Sequence, residues 1–240
     1  MTTIETKVLR KALIPIKCLV TEKTADAELQ MEFRKGSIKV NYVNQARTGY
    51  GTYEWKADTI SKSLLSEMLV MTYGKLFPLL QGNKSLTFSK VKGKWYIMKD
   101  NGTKVQIESI KDFTVLKDIS NLSWNTNLTV VKTTGRELKM FNLKHFDDYD
   151  TMSVCLDSNP RLHCGIANSV SDSITLNFPE KKGKDHKADY GVSYMRQIIA
   201  RLPTSADVEL GIGQDDSPLT LKIYEGQGTL YLAPEILREE

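Results

Sequence analysis

The sequence predicts an α+β fold built twice: two similar halves of antiparallel sheet, each with two helices on one face. Three observations lead there. Short runs of alternating apolar and polar residues, bounded by turn formers, recur along the chain and read as strands of antiparallel sheets. Helical patterns are few. One order of elements, helix, strand, turn, strand, occurs twice at an offset of about 120 residues.

The first half opens on residues 8–20, an apolar stretch interrupted by Pro15. A proline inside a helix removes a hydrogen bond and clashes with the preceding turn, so this helix is either kinked there or starts there. Alternation then predicts strands at 28–33, 37–43 and 51–55. Residues 73–80 form a short apolar helix closed by Gln81 and Gly82. The strand 85–90, the Lys92–Gly93 turn and the strands 95–99 and 103–108 follow. Residues 111–124 are polar with spaced apolar side chains and no period.

The second half opens on residues 136–149, an amphipathic helix with Leu138, Phe141 and Phe146 close to one face and Lys139, Lys144 and Asp148 elsewhere. Strands are expected at 152–156, 162–167 and 173–178. The lysine-rich stretch 181–187 reads as a solvated loop. A helix at 193–202, a strand at 208–212, a turn at 214–217, a strand at 219–224 and a terminal strand and tail from Leu230 complete the chain. The domains are therefore 1–110 and 126–240, with 111–125 connecting them.

With 240 residues the chain can bury one or two cores, and its 40% hydrophobic and 26% charged residues are ordinary for a soluble protein. No run approaches the roughly 18 apolar residues of a membrane span. The first residues lack the basic and apolar regions of a secretory signal, so an intracellular location is expected. Cys18, Cys155 and Cys164 show no metal-ligand spacing and read as buried free thiols. The net charge of +4 permits a polyanionic partner.

No catalytic constellation is present in the sequence. His145, His163 and His186 are scattered, and no phosphate-binding loop or nucleophile elbow occurs. Asp147, Asp148 and Asp150 follow a helix rather than share a face, which suits a charged helix end or subunit contact better than a metal site. An enzyme is not expected, and no cofactor is implied.

The end of the chain carries a resemblance. Residues 188–203, with Tyr190 and Tyr194 four apart, are followed by a strand at 207–213, a Pro-initiated strand at 217–224 and a tail reading Leu232-Ala233-Pro234. This run resembles the C-terminal end of a PCNA-type sliding clamp, the archaeal and eukaryotic ring that tethers DNA polymerases to duplex DNA. The resemblance covers about the last fifth of the chain in motif; the rest agrees in layout. It implies two clamp domains per chain, helices on the inner face, and a ring. The partners implied are encircled double-stranded DNA, a DNA polymerase, a clamp loader and other PIP-box proteins, with three identical chains closing a homotrimer. The family is usually acidic overall, and a net charge of +4 departs from that.

The resemblance also implies site residues. The DNA-facing bases would be Lys7, Arg10, Lys11 and Lys17 on the first helix, Lys75 on the second, Arg136, Lys139 and Lys144 on the third, and Arg196 and Arg201 on the fourth. Phosphate contacts of this kind carry no sequence information. A pocket for partner peptides would use Tyr42 and Val43, then Leu116, Ile119, Leu122 and Trp124 of the connecting loop, and Leu232, Ala233 and Pro234 of the tail. Ring closure would pair edge strands, 103–108 of one protomer with 173–178 of the next, the latter including Ile174 and Leu176. Asp147, Asp148 and Asp150 would meet bases such as Lys84 and Lys104 across that contact. Two other readings stay open: a clamp-fold paralogue in a heteromeric ring, and a basic nucleic-acid-binding protein that forms no ring.

Overall fold

The structure, a computed structural model, describes residues 1–19, 28–43, 49–111, 128–140, 151–158, 160–164, 172–175, 181–213, 217–223 and 227–233. The chain divides into two compact units, Met1–Leu122 and Ser123–Glu240.

The first unit contains β1 (Thr2–Glu5), α1 (Thr6–Ala12), α2 (Ile14–Leu19), β2 (Glu28–Arg34), β3 (Ser37–Val43), β4 (Gly49–Lys56), β5 (Met68–Thr72), α3 (Tyr73–Leu80), β6 (Ser85–Val91), β7 (Lys94–Lys99) and β8 (Lys104–Ile107). Its strands pair antiparallel in the orders β1-β6-β7-β8 and β4-β3-β2-β5. Alternation decides what each strand buries. Leu29, Met31 and Phe33 of β2 face inward, and their partners on β3 are Tyr42, Val40 and Ile38. Phe33 joins the two strand layers: its ring centroid lies 5.9 Å from Phe88 on β6 and 5.6 Å from Trp95 on β7. Such aromatic contacts add to the area they bury. The Lys92–Gly93 turn is confirmed with φ of 49° and 79°, the left-handed pair that a two-residue hairpin requires.

The structure resolves the alternative at Pro15. The first helix breaks at Leu13 (φ −86°, ψ 0°), whose N–H still reaches Leu9 O at 2.9 Å, and a second helix restarts at Ile14. Pro15 sits in the first turn of α2, where a missing N–H costs nothing. The helix α3 has the bounds the sequence predicts. β1 and β5 were not among the predicted strands. β1 is short, and β5 is a continuous apolar run buried at Leu69, Val70 and Met71, which alternation does not reveal.

The second unit contains β9 (Thr129–Thr134), α4 (Gly135–Met140), β10 (Thr151–Leu156), β11 (Arg161–Cys164), β12 (Asp172–Thr175), β13 (Lys181–Lys182), β14 (His186–Gly191), α5 (Val192–Arg201), β15 (Asp207–Ile212), β16 (Leu219–Ile223) and β17 (Gly228–Leu232). Strands pair in the orders β12-β11-β10-β14 and β13-β9-β15-β16-β17. Val131, Leu210, Leu221 and Leu230 are register partners across four strands and are 0–2% exposed, a continuous apolar row. Each such side chain contributes about 1.5–3 kcal/mol by leaving water. The α5 helix lays Val192, Met195, Ile198 and Ile199 into this core.

One expectation is corrected here. The lysine-rich stretch 181–187 is not all loop: Lys181 and Lys182 pair with Val131 and Val130 of β9, and His186 begins β14. Lys182, Lys184 and Lys187 are nevertheless exposed, since strands of an antiparallel sheet can keep one face in water. The helix expected at 193–202 is α5, Val192–Arg201; Tyr190 lies on β14 just before it, and Tyr194 lies on α5. Of the predicted helix 136–149, Gly135–Met140 is seen as α4; Phe141, Phe146 and Tyr149 lie outside the described residues.

Candidate nucleic-acid interface and partner surfaces

The helices carry a charge pattern that their length alone does not require. Lys7, Arg10 and Lys11 lie on α1, Lys17 on α2, Lys75 on α3, Arg136 and Lys139 on α4, and Arg196 and Arg201 on α5. Lys7, Arg10, Lys75, Arg136, Lys139 and Arg201 are exposed, and Lys11, Lys17 and Arg196 are half-buried. Among the described residues of these five helices the only acid is Glu137. They therefore hold nine bases against one carboxylate, a net of +8 in a chain whose total is +4. Lys144 lies outside the described residues.

Several of these bases have local partners. Lys7 Nζ is 2.7 Å from Glu5, whose hydrogen bond and charge raise the lysine pKa. Arg10 donates from Nη2 to the carbonyl of Leu80 at 2.8 Å, closing the C-terminus of α3. Lys17 Nζ stands 5.8 Å over the Phe77 ring, which itself stacks on Tyr73 at 5.6 Å. Phe77 is 38% exposed on this basic helix pair. The sequence marks 73–80 as a short apolar helix carrying Lys75 and does not single out Phe77; the signal lies in Phe77 falling off the stripe of Tyr73, Leu76 and Leu80.

The peptide-pocket residues are placed unevenly. Tyr42 is 0% exposed because alternation turns it to the core opposite Leu29, and Leu232 is 1% exposed opposite Leu219. Both side chains occupy buried positions of their strands. Val43 faces the other side of β3, opposite Tyr50, and is also buried. Ala233 is exposed, and Tyr231, on the opposite face of β17 from Leu232, is half-buried with its phenol pKa raised by burial. Leu116, Ile119, Leu122, Trp124 and Pro234 lie outside the described residues.

Both strands expected at sheet edges end their sheets among the described residues. β8 is last in β1-β6-β7-β8, and β12 is first in β12-β11-β10-β14. Ile174 pairs with Leu162; Leu176 lies outside the described residues. At the other end of that proposed contact, Lys84 is exposed, and Lys104 Nζ lies 4.1 Å over the ring of Tyr96, which keeps a cation on the open strand. Asp147, Asp148 and Asp150 lie outside the described residues. Among the described residues no group of His, Cys, Asp or Glu is arranged to hold a metal, and no helix is long and apolar enough to cross a membrane.

No protein-family model matches the chain, and no curated protein matches it in sequence. Solved structures match in shape. An Archaeoglobus fulgidus PCNA, in a structure with the C-terminal region of FEN-1, superposes with a TM-score of 0.74 at 13% identity, covering 99% of both chains. The chain has the sliding-clamp fold. PCNA of Thermococcus kodakaraensis superposes at 0.69 and 18% identity over 98% of this chain and 99% of its own. The DnaN sliding clamp of Pseudomonas aeruginosa reaches 0.76 at 10% identity, where 98% of this chain covers 65% of that one. The clamp fold thus extends over the whole chain although sequence identity is low, which agrees with a fold fixed by alternation and core burial rather than by particular residues.

Proposed function

We propose that the chain is a subunit of a DNA sliding clamp, a ring-shaped processivity factor that encircles duplex DNA and tethers a DNA polymerase and other replication and repair proteins. The carrying observation is the full-length clamp fold combined with five helices that are almost purely basic. A clamp performs no chemistry. Distributed cations on helices hold phosphates without reading sequence, and topology supplies retention. In this reading the two domains are 1–110 and 126–240, with 111–125 as the connecting loop and three identical chains in the ring. Partners dock through PIP-box peptides beside that loop and the tail, at Tyr42, Val43, Leu232 and Ala233. The edge strands β8 and β12 pair between protomers, and Lys84 and Lys104 face Asp147, Asp148 and Asp150. The protein works inside the cell on DNA, as no enzyme and with no cofactor.

The test is the solution mass by size exclusion with light scattering at low and high salt, followed by retention on circular against linearised duplex. A mass of three 27.1-kDa protomers and sliding off linear DNA are expected. A monomer at all concentrations would overturn the homotrimer. A monomeric mass together with equal retention on linear and circular DNA would favour direct binding without a ring.

A further inference from the structure

We propose that the hairpin end of the first unit, remote from the helix α3, is a second surface for the phosphodiester backbone of DNA. Five lysines converge there. Lys35 lies in the β2–β3 turn, Lys56 ends β4, Lys62 lies in the 57–67 loop, and Lys92 and Lys94 flank the β6–β7 turn. All five are exposed, and none makes an ion pair among the described residues.

Specific contacts bring these segments together. Phe33, next to Arg34, stacks on Trp95, next to Lys94, with centroids 5.6 Å apart. Lys56 is the register partner of Ser37, and the N–H of Ala57 donates to Gly36 O at 3.0 Å. The 57–67 loop returns onto β2: Ser66 N–H donates to Phe33 O at 2.8 Å, and Phe33 N–H donates to Glu67 O at 3.0 Å. Lys90 then reaches from β6 to Glu67 at 2.5 Å, tying the β6–β7 hairpin to that loop.

Neighbouring carboxylates do not neutralise the five lysines. Glu32 is taken by Arg34 at 2.5 Å, Glu54 by Ser37 at 2.6 Å and by Arg34 at 3.7 Å, and Glu67 by Lys90. Asp58 and Glu108 are the remaining acids at this end, Glu108 standing one residue past Ile107, the register partner of Trp95, and neither makes an ion pair with the five lysines among the described residues. The surface is also distinct from the helical one. β5 starts at this end, where Met68 pairs with Glu32, and runs to Thr72, from which α3 leaves at the far end.

The chemistry favours backbone phosphate. Lysines on flexible stems act as point charges and suit phosphates without a fixed geometry, whereas a carboxylate peptide is better held by planar, bidentate arginine. Spread along hairpin tips rather than around a cavity, they suit a strand passing over the surface. The site goes beyond the encircling reading and does not require a ring.

The experiment is binding of the full chain to a short blunt-ended linear duplex, read by fluorescence anisotropy across about 50 to 200 mM salt. It compares the native chain with the K35Q/K56Q/K92Q/K94Q variant. The native chain is expected to bind at low salt. The variant should show a slope of log K against log salt shallower by about 0.9 for each phosphate it no longer neutralises, about 3 to 4 in total. Thermal unfolding should be unchanged, since all four side chains are exposed. Identical slopes, or no native binding at low salt, would overturn the proposal, as would equally tight binding of poly-glutamate at matched charge. The mass by light scattering reads the ring separately, so failure of one does not imply failure of the other.

Discussion

Thr134 and Glu137 cap the start of α4 reciprocally. The N–H of Glu137 donates to Thr134 Oγ1 at 3.2 Å, while the N–H of Thr134 donates to Glu137 Oε2 at 2.9 Å. This is a capping box, which satisfies two donors that the first turn leaves unpaired. The Thr133 hydroxyl adds a third hydrogen bond to the same carboxylate oxygen at 2.9 Å. Thr134→Ala should therefore destabilise the second unit by about 1 kcal/mol. The check is a shifted urea midpoint with unchanged m-value; an unmoved midpoint would mean the helix start is held by tertiary packing alone.

The next residue tolerates no side chain. A Cβ on Gly135 would stand 2.0 Å from the carbonyl oxygen of Pro203, and the Gly135 N–H donates to Ala206 O at 2.8 Å. Backbone meets backbone here, so no rotamer change relieves the overlap. Gly135→Ala is expected to cost about 1–3 kcal/mol or more, the range for overpacking. Chemical denaturation measures it, and a neutral result would show that the 203–206 segment shifts freely.

Tyr190 closes the end of β14 by donating its buried hydroxyl to the carbonyl of Ser217 at 3.0 Å. Burial raises its pKa far beyond the ordinary phenol range, with the Asp189 charge adding to it. Tyr190→Phe keeps the ring and strands the carbonyl, for an expected loss of about 1–3 kcal/mol. Wild-type stability in the variant would place water on Ser217 O.

Much of this architecture was legible because it is local. Strands such as 28–33 and 37–43 announce themselves by alternation, and Lys92–Gly93 by turn chemistry. β5 was hidden because a strand buried on both faces loses its alternation. The capping box at Thr134 carried a plain threonine-to-glutamate spacing and went unread beside the longer amphipathic pattern. The sites were less legible for a different reason. Tyr42 and Val43 are adjacent in sequence, yet the period of two sends them to opposite faces, and position by resemblance does not fix which face is open. The lysines of the hairpin end are scattered over some 60 positions, so only the Phe33–Trp95 stack and the returning 57–67 loop reveal them as one surface.

Acid should weaken the fold through two exposed carboxylates. Asp100 accepts from the Ser85 hydroxyl at 2.7 Å, from the Ser85 N–H at 3.1 Å and from the Lys84 N–H, and the Ser85 hydroxyl is the main cause of its lowered pKa. Glu137 is lowered chiefly by Thr133 and then by the Thr134 N–H. A depressed folded pKa contributes stability above the ordinary carboxylate value and loses it as pH falls through the folded value. Urea midpoints measured from pH about 6 down to about 3 should fall less steeply in Asp100→Asn than in the native chain. Parallel curves would show that Asp100 keeps no preference for its charged form.

Arg10 separates two roles that the basic helices combine. Its guanidinium bonds the last carbonyl of α3, where a cation also meets the negative end of the helix dipole, while Lys7, on α1 with Arg10, pairs at the surface with Glu5. Arg10→Ala should lower the stability of the first unit by about 0.5–1 kcal/mol, and Lys7→Ala should leave it within error, since exposed ion pairs contribute little. DNA binding by the assembled protein is a separate readout. Each substitution removes one cation from the helices, so each should make the salt slope shallower by at most about 0.9, and Lys7→Ala should do so without any change in the unfolding midpoint. If Arg10→Ala changes only stability and Lys7→Ala only the slope, Arg10 is a structural cap rather than a phosphate contact. If both change the slope equally, the guanidinium uses its free donors on DNA while holding the helix end.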